Sequence, residues 1–201
     1  VVVKNTRHVF DQMFEASEDP WGFRTRWYEA RKRAITLASL PDAHYQNAYE
    51  PGCANGELAA ALAPRCANLR VSDGAEGAVA LARDRLAGFP QVEVAQEWLP
   101  DDWPNHTFDL IVLSEMGFYL SETAVATMAA RAKESLAPAG TLLACHWRHP
   151  VEGFDLHGDS VHAILDRKLG LARLVRHEER DFVLAVWSSD ARSVARREGF
   201  V

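Results

Sequence analysis

Tyr49-Glu50-Pro51-Gly52-Cys53-Ala54-Asn55-Gly56-Glu57-Leu58 is the stretch on which the reading of this 201-residue chain turns. It joins a strand candidate at 47–50 to a helical run at 57–62 and sets small residues at positions 52, 54 and 56. Gly52 lets the backbone turn sharply, Ala54 lets a ligand come close to the chain, and Gly56 permits tight packing where the helix starts. Backbone N–H groups at that helix start can face a carboxylate or a phosphate. Alone the signal is weak, because glycine-rich strand–helix turns recur in many α/β proteins.

Around this turn, short apolar runs alternate with helical stretches. Strands are expected at 68–72, 92–96, 108–114 and 141–146, and helices at 75–86 and 122–136. Such alternation, with Val, Ile and Leu in the strands, predicts a doubly wound parallel sheet. The end of the chain departs from it: 172–179 and 182–188 flank the polar Glu179-Arg180-Asp181 and predict an antiparallel hairpin at the sheet edge. Ahead of the sheet, 1–43 is expected to form a helical cap or lid over a domain spanning 44–201. Its helical pattern begins at Asn5, breaks at Pro20 and Gly22, and resumes over 26–40 before Pro41.

Composition narrows the function classes. With 22 Lys and Arg against 28 Asp and Glu, the net charge is −6, which argues against a nucleic-acid-binding surface. Arg24, Arg26, Arg31, Lys32 and Arg33 nevertheless form a basic cluster, either a solvated helix face or a dock for an anionic group. Three cysteines without a CxxC pair fit a reducing compartment, and with no leader in view a cytoplasmic location is expected. No apolar run approaches the length of a membrane span, so no membrane partner is expected.

The second strand sharpens the reading. Leu69-Arg70-Val71-Ser72-Asp73 ends in a carboxylate about twenty residues past the glycine turn, where a ribose diol would be held. Asp73-Gly74-Ala75-Glu76 also reads as a helix cap, and the two roles are compatible. A nicotinamide enzyme could use the same turn and acid. The turn, however, resembles the E/D-x-G-x-G-x-G loop of S-adenosyl-L-methionine methyltransferases, with Ala54 in place of the middle glycine. Glu97-Trp98-Leu99-Pro100 before 108–112, and Leu136-Ala137-Pro138-Ala139-Gly140 before Thr141, also resemble that family in order. The resemblance implies an α/β class I methyltransferase fold with a Rossmann-like sheet of seven strands, mostly parallel, closed by a C-terminal antiparallel hairpin. It implies S-adenosyl-L-methionine as cofactor, with Gly52, Cys53, Ala54, Asp73, Gly74, Glu97, Trp98 and Ser114 around it. Glu97 could accept from the adenine amino group, while Trp98 could stack on the purine or fill the core.

More specific features lie outside these motifs. Asp19-Pro20-Trp21, Trp27-Tyr28-Glu29, the run from Leu113 to Leu120, His146-Trp147-Arg148-His149-Pro150 and Gly158-Asp159-Ser160-Val161-His162 resemble the NodS family of N-methyltransferases. That family methylates the amine of a deacetylated chito-oligosaccharide, which implies a small-molecule acceptor such as an amino sugar, an oligosaccharide or another amine. Trp21, Tyr28 and Lys32 match positions near the cofactor, where Lys32 could pair with the methionyl carboxylate; Trp21 and Tyr28 could equally anchor the first helices to the sheet. Glu115 ends the fourth strand, where a base or an ammonium-binding carboxylate belongs. His146, Arg148, His149 and His162 are expected around the acceptor, with His146 able to take a proton. No metal is expected, since no metal-ligand spacing is present. Two other readings stay open: an NAD(P)-dependent oxidoreductase, and a degenerate binding protein that keeps the fold without turnover.

Overall fold

The computed structural model describes residues 6–201; Asn5 and the start of the expected 1–43 cap lie outside the described residues. The helical elements are α1 (Thr6–Ala16), α2 (Trp27–Ala38), α3 (Glu57–Leu62), α4 (Glu76–Leu86), α5 (Glu122–Ser135), α6 (Gly158–Leu169) and α7 (Val194–Arg197). The strands are β1 (Tyr45–Pro51), β2 (Cys66–Asp73), β3 (Val92–Gln96), β4 (Phe108–Ser114), β5 (Leu136–Trp147), β6 (Ala172–Glu178) and β7 (Phe182–Ser188). They form one sheet in the order β3-β2-β1-β4-β5-β7-β6. β1 to β5 pair in parallel, and β7 runs antiparallel to both β5 and β6. The seven-stranded methyltransferase sheet is therefore present, with one feature that chain order does not reveal. β7 inserts between β5 and β6, which leaves β6, with its charged Arg173, Arg176 and Glu178, on the edge.

Side-chain alternation explains why both faces are covered. Leu110, Val112, Leu143, Cys145, Leu184 and Val186 point to a core shared with residues of α2, α3 and α4. Their neighbours Ile111, Leu113, Leu142, Ala144, Ala185 and Trp187 point to the opposite core with α5 and α6. With both faces buried the strands read as continuous apolar runs, as parallel strands do.

The chain runs from β1 outward to β3 and then returns to start β4 on the other side of β1. This reversal opens a crevice at the carboxyl ends of β1 and β4, where ligands bind in open α/β sheets. α1 reaches across it, packing through Phe14 against Ala75 and Ala78 at the start of α4. The loop after α1 is tied down as Pro20 requires. Asp19 accepts from the Phe23 and Arg24 amides at 2.8 and 3.0 Å, and Asn55 of the glycine turn donates to Asp19 at 3.0 Å. Among the described residues no helix is long and apolar enough to cross a membrane.

Candidate cofactor and acceptor site

The glycine turn is wound by three left-handed residues in alternation, Gly52 (φ 70°), Ala54 (φ 47°) and Gly56 (φ 79°). Two are glycines, for which this conformation carries no steric penalty. Ala54 departs from the glycine pattern and bears the strain of a Cβ in the left-handed region. Its amide donates to Asp73 Oδ2 at 3.0 Å, while the Ala75 amide donates to Asp73 Oδ1 at 3.1 Å. The acid at the end of β2 thus clamps the turn after β1 and caps the approach to α4. Burial pushes its carboxyl up, and these amides pull it back down. Each oxygen keeps a lone pair for a further donor.

At one end of the crevice Trp98 lies flat on Gly74, so close that any Cβ there would fall inside the indole. The Arg7 guanidinium of α1 sits 5.0 Å from the centre of that ring. Trp98 belongs to none of the buried core clusters and lines the cavity, so of its two expected roles the structure favours a wall. Glu97 beside it accepts from Tyr49 Oη at 3.0 Å and pairs with Arg70 at 2.5 Å, so both its oxygens already have partners. Gly74→Ala is expected to lower stability by about 1–3 kcal/mol through overpacking. Thermal unfolding of the Gly74→Ala/Trp98→Ala double variant checks the contact: less than additive losses support it, and additive losses refute it.

Between these walls lies a cavity of about 860 Å³. Trp21, Tyr28, Lys32, Gly52, Cys53, Ala54, Asp73, Gly74, Glu97, Trp98, Ser114 and Glu115 all line it. Cys53 is an inert thiol, since burial raises it well above its usual range. At the other end of the cavity β4 gives out in Glu115, a non-glycine residue with φ 55°. Such backbone costs about 1–3 kcal/mol and persists where surrounding contacts over-determine it. Here they do: its amide donates to Cys145 O at 2.9 Å, Oε2 accepts from the Trp147 amide at 2.8 Å, and Oε1 pairs with Lys32 Nζ at 2.6 Å. Burial pushes the Glu115 carboxyl up and Lys32 opposes the shift. Burial works against the Lys32 cation, but Glu115 and Glu29 outweigh it and hold the ammonium charged.

Several expected placements do not hold. His146 does not line the cavity: it is buried beneath it, accepting from the Gly117 amide at 3.2 Å and lying 3.2 Å from His162. Burial and His162 hold its ring neutral, and its contacts brace the turn after β4. His162, in the second turn of α6, is 1% exposed and does not line the cavity either. Arg148 pairs with Asp159, and His149 with Asp181, both away from the cavity. Lys32 lines the cavity with its ammonium on two glutamates, Glu29 and Glu115. The basic cluster divides: Arg26, Lys32 and Arg33 line the cavity, while Arg24 and Arg31 pair with surface acids. Among the described residues no group of three His, Cys, Asp or Glu side chains could hold a metal.

Other residues come into play that sequence reasoning passed over. Glu50, quoted in the turn but given no role, is 2% exposed with Oε2 unpartnered, and burial pushes its carboxyl up to about 8. A charge in an otherwise apolar strand end was its signal. Glu29 faces Lys32 from one turn earlier in α2, a spacing of three that was visible in the sequence. Phe10 and Tyr119 meet edge to face at 4.9 Å and join α1 to the turn after β4; nothing in the sequence announces that contact.

Comparison with known proteins agrees with this geometry. The nodulation protein S (NodS) family model matches residues 4–169. The chain is 32% identical over 134 residues to nodulation protein S of Sinorhizobium fredii, a match covering 64% of this chain and 60% of that one. It thus spans about three fifths of the length of that relative. A Pseudomonas syringae chain, solved as a candidate methyltransferase, is 50% identical with a TM-score of 0.73, covering 81% of this chain and 99% of its own. The N-methyltransferase NodS of Bradyrhizobium japonicum, solved with S-adenosyl-L-homocysteine, is 25% identical with a TM-score of 0.81, covering 93% of this chain and 100% of its own. A class I methyltransferase sheet, a crevice of the right construction at its switch point and a family match over most of its length together make this chain a member of the NodS family.

Proposed function

We propose that this protein is an S-adenosyl-L-methionine-dependent methyltransferase acting on the nitrogen of a small polar acceptor, an amino sugar being the favoured class. The observation that carries the reading is the cavity itself. It joins a ribose-type carboxylate, Asp73, to an acceptor-side carboxylate, Glu115, across a turn with no bulky side chain at 52, 54 or 56. The residues fit the cofactor: Glu50 Oε2 is a buried acceptor in want of a donor, such as the methionyl ammonium, and the volume suits a nucleoside with an acceptor beside it.

The cofactor supplies a methyl already activated by its sulfonium, so the protein has mainly to bind, orient and exclude water. Asp73 would hold the sugar hydroxyls and Trp98 would wall the base. Glu115 would accept the proton that the amine must lose before it can attack. The described part of the 1–43 cap would act as a lid through Phe10 and Phe14 of α1 and Trp21 of the loop before α2, keeping water from the reacting atoms. The three buried thiols support work in the reducing cytoplasm.

Calorimetric titration tests the cofactor, and transfer of labelled methyl to glucosamine tests the reaction. Micromolar binding of S-adenosylhomocysteine with no heat from NAD is expected. Binding of NAD alone would overturn the proposal. Cofactor binding without transfer to any of a broad set of amines and alcohols would favour a binding protein that has lost turnover.

A further inference from the structure

Under the acceptor end of the cavity lie two histidines that the methyl-transfer reading leaves without a part. His146 of β5 and His162 of α6 are both buried. Their ring nitrogens stand in a row that begins at the main chain. The Gly117 amide donates to His146 Nε2 at 3.2 Å, and His146 Nδ1 stands 3.2 Å from His162 Nε2. Beyond it His162 Nδ1 is buried without a partner among the described residues. Two glycines make room for the row. A Cβ on Gly117 would fall 3.0 Å from His146 Nε2 and 2.6 Å from Val161, and one on Gly158 would fall 2.5 Å from the Trp147 carbonyl. A side chain at either place would push the turn or α6 away from His146.

The order of protons along the row follows from its first member. A backbone amide only donates, so His146 Nε2 must accept and carries no hydrogen. A neutral ring then bears its hydrogen on Nδ1 and donates it to His162 Nε2, which leaves His162 with its own on Nδ1. One amide therefore sets the tautomer of both rings. Burial keeps the two neutral. At His146 the neighbouring His162 and Lys32 of α2 add to it; at His162 Arg173 and Arg176 of β6 do so against Asp159 and Asp166 of α6. The opposite tautomer of His146 would set two N–H groups face to face and leave the Gly117 amide buried without an acceptor, a costly state inside a protein.

The row ends on a segment that serves the cavity twice. Gly117 opens the turn 117–119, two residues past Glu115, and Phe118 and Tyr119 of that turn line the cavity. The Phe118 ring stands 5.8 Å from the His146 ring. Tyr119 meets Phe10 of α1 at 4.9 Å and Phe154 of the loop after β5 at the same distance. The footing of α1 on the cavity wall is therefore tied to the histidines through one amide. Resting on the methyl-transfer reading, we propose that His146 and His162 are positioning residues: their ordered row of hydrogen bonds holds the 117–119 turn as the seat of α1, and so sets how long the cofactor stays bound. Neither ring touches the cavity, so both act through Gly117.

Two measurements on the full chain test this. Nitrogen NMR of histidine-labelled protein at neutral pH should show both buried rings neutral with the hydrogen on Nδ1. Stopped-flow release of S-adenosylhomocysteine should be about tenfold faster from His146→Leu than from the wild type. His146→Gln, whose side-chain oxygen can accept from the Gly117 amide, should restore release to within about threefold. His162→Leu should also speed release, and the double leucine variant should fall short of the product of the two effects. A hydrogen on Nε2 of either buried ring, release from His146→Leu within about threefold of the wild type, or His146→Gln as fast as His146→Leu overturns the proposal. Should His146→Leu fail to fold, the wild-type tautomers and the release rate of His162→Leu decide it. A chain that takes up no S-adenosylhomocysteine sinks the methyl-transfer reading itself, while the tautomers still report on the row, so the two failures are told apart.

Discussion

Replacing Asp73 by alanine is expected to raise the dissociation constant for S-adenosylhomocysteine by about 100-fold. The carboxylate would hold two sugar hydroxyls through charge-assisted hydrogen bonds, each contributing about 1.5–3 kcal/mol where water is excluded. Losing two of them, with partial recovery from water, costs about 3 kcal/mol, or two powers of ten. The same side chain also accepts from the Ala54 and Ala75 amides, so part of the loss would come from the glycine turn relaxing. Thermal unfolding reads that part, since a loosened turn lowers the melting temperature along with the affinity. Asp73→Asn, which offers one acceptor oxygen instead of two and must turn its NH2 toward one of these amides, should lower the melting temperature as well and weaken binding by about tenfold. Calorimetry and thermal unfolding on both variants check the pair. An Asp73→Ala chain that binds within about threefold of the wild type would remove the acid from the cofactor site.

Asp73 also shows why the cofactor half was legible in the sequence. The turn at 52–56 and the acid at 73 sit on two parallel neighbours, β1 and β2, so their spacing along the chain fixes their spacing in space. The strands 92–96, 108–114 and 182–188 were readable to the residue for a related reason: apolar runs bounded by turns have few other places to go. The acceptor half was harder. Lys32 and Glu115 are 83 positions apart, and their pairing depends on how α2 lies over the sheet, which no local pattern encodes. His146 misled for a simpler reason. Alternation along β5 turns Trp147 toward the cavity and His146 into the core below it, and a one-residue step reverses the face. Trp147 lines the cavity in its place, 5.7 Å from Tyr28 edge to face.

Glu115→Gln is expected to lower turnover by about 100-fold or more while the affinity for S-adenosylhomocysteine stays within about threefold. Loss of a positioned proton acceptor costs about two to four powers of ten. The substitution keeps the size of the side chain and an oxygen for the Trp147 amide, but it removes the charge that faces Lys32. Lys32 would not be stranded, because Glu29 remains 3.0 Å away; the fall in melting temperature should therefore be smaller than for a buried ion pair broken outright. The pH profile supplies a second check. A proton acceptor works only when ionised, so activity falls as the pH drops through its pKa. Burial pushes the Glu115 carboxyl up, so the acid limb of kcat should lie above the ordinary carboxylate range in the wild type and vanish in Glu115→Gln. An unchanged rate would exclude Glu115 as the proton acceptor. A lowered rate with the acid limb intact would assign that limb to another group on the cavity wall, Glu50 being the first to examine, since burial pushes it up to about 8.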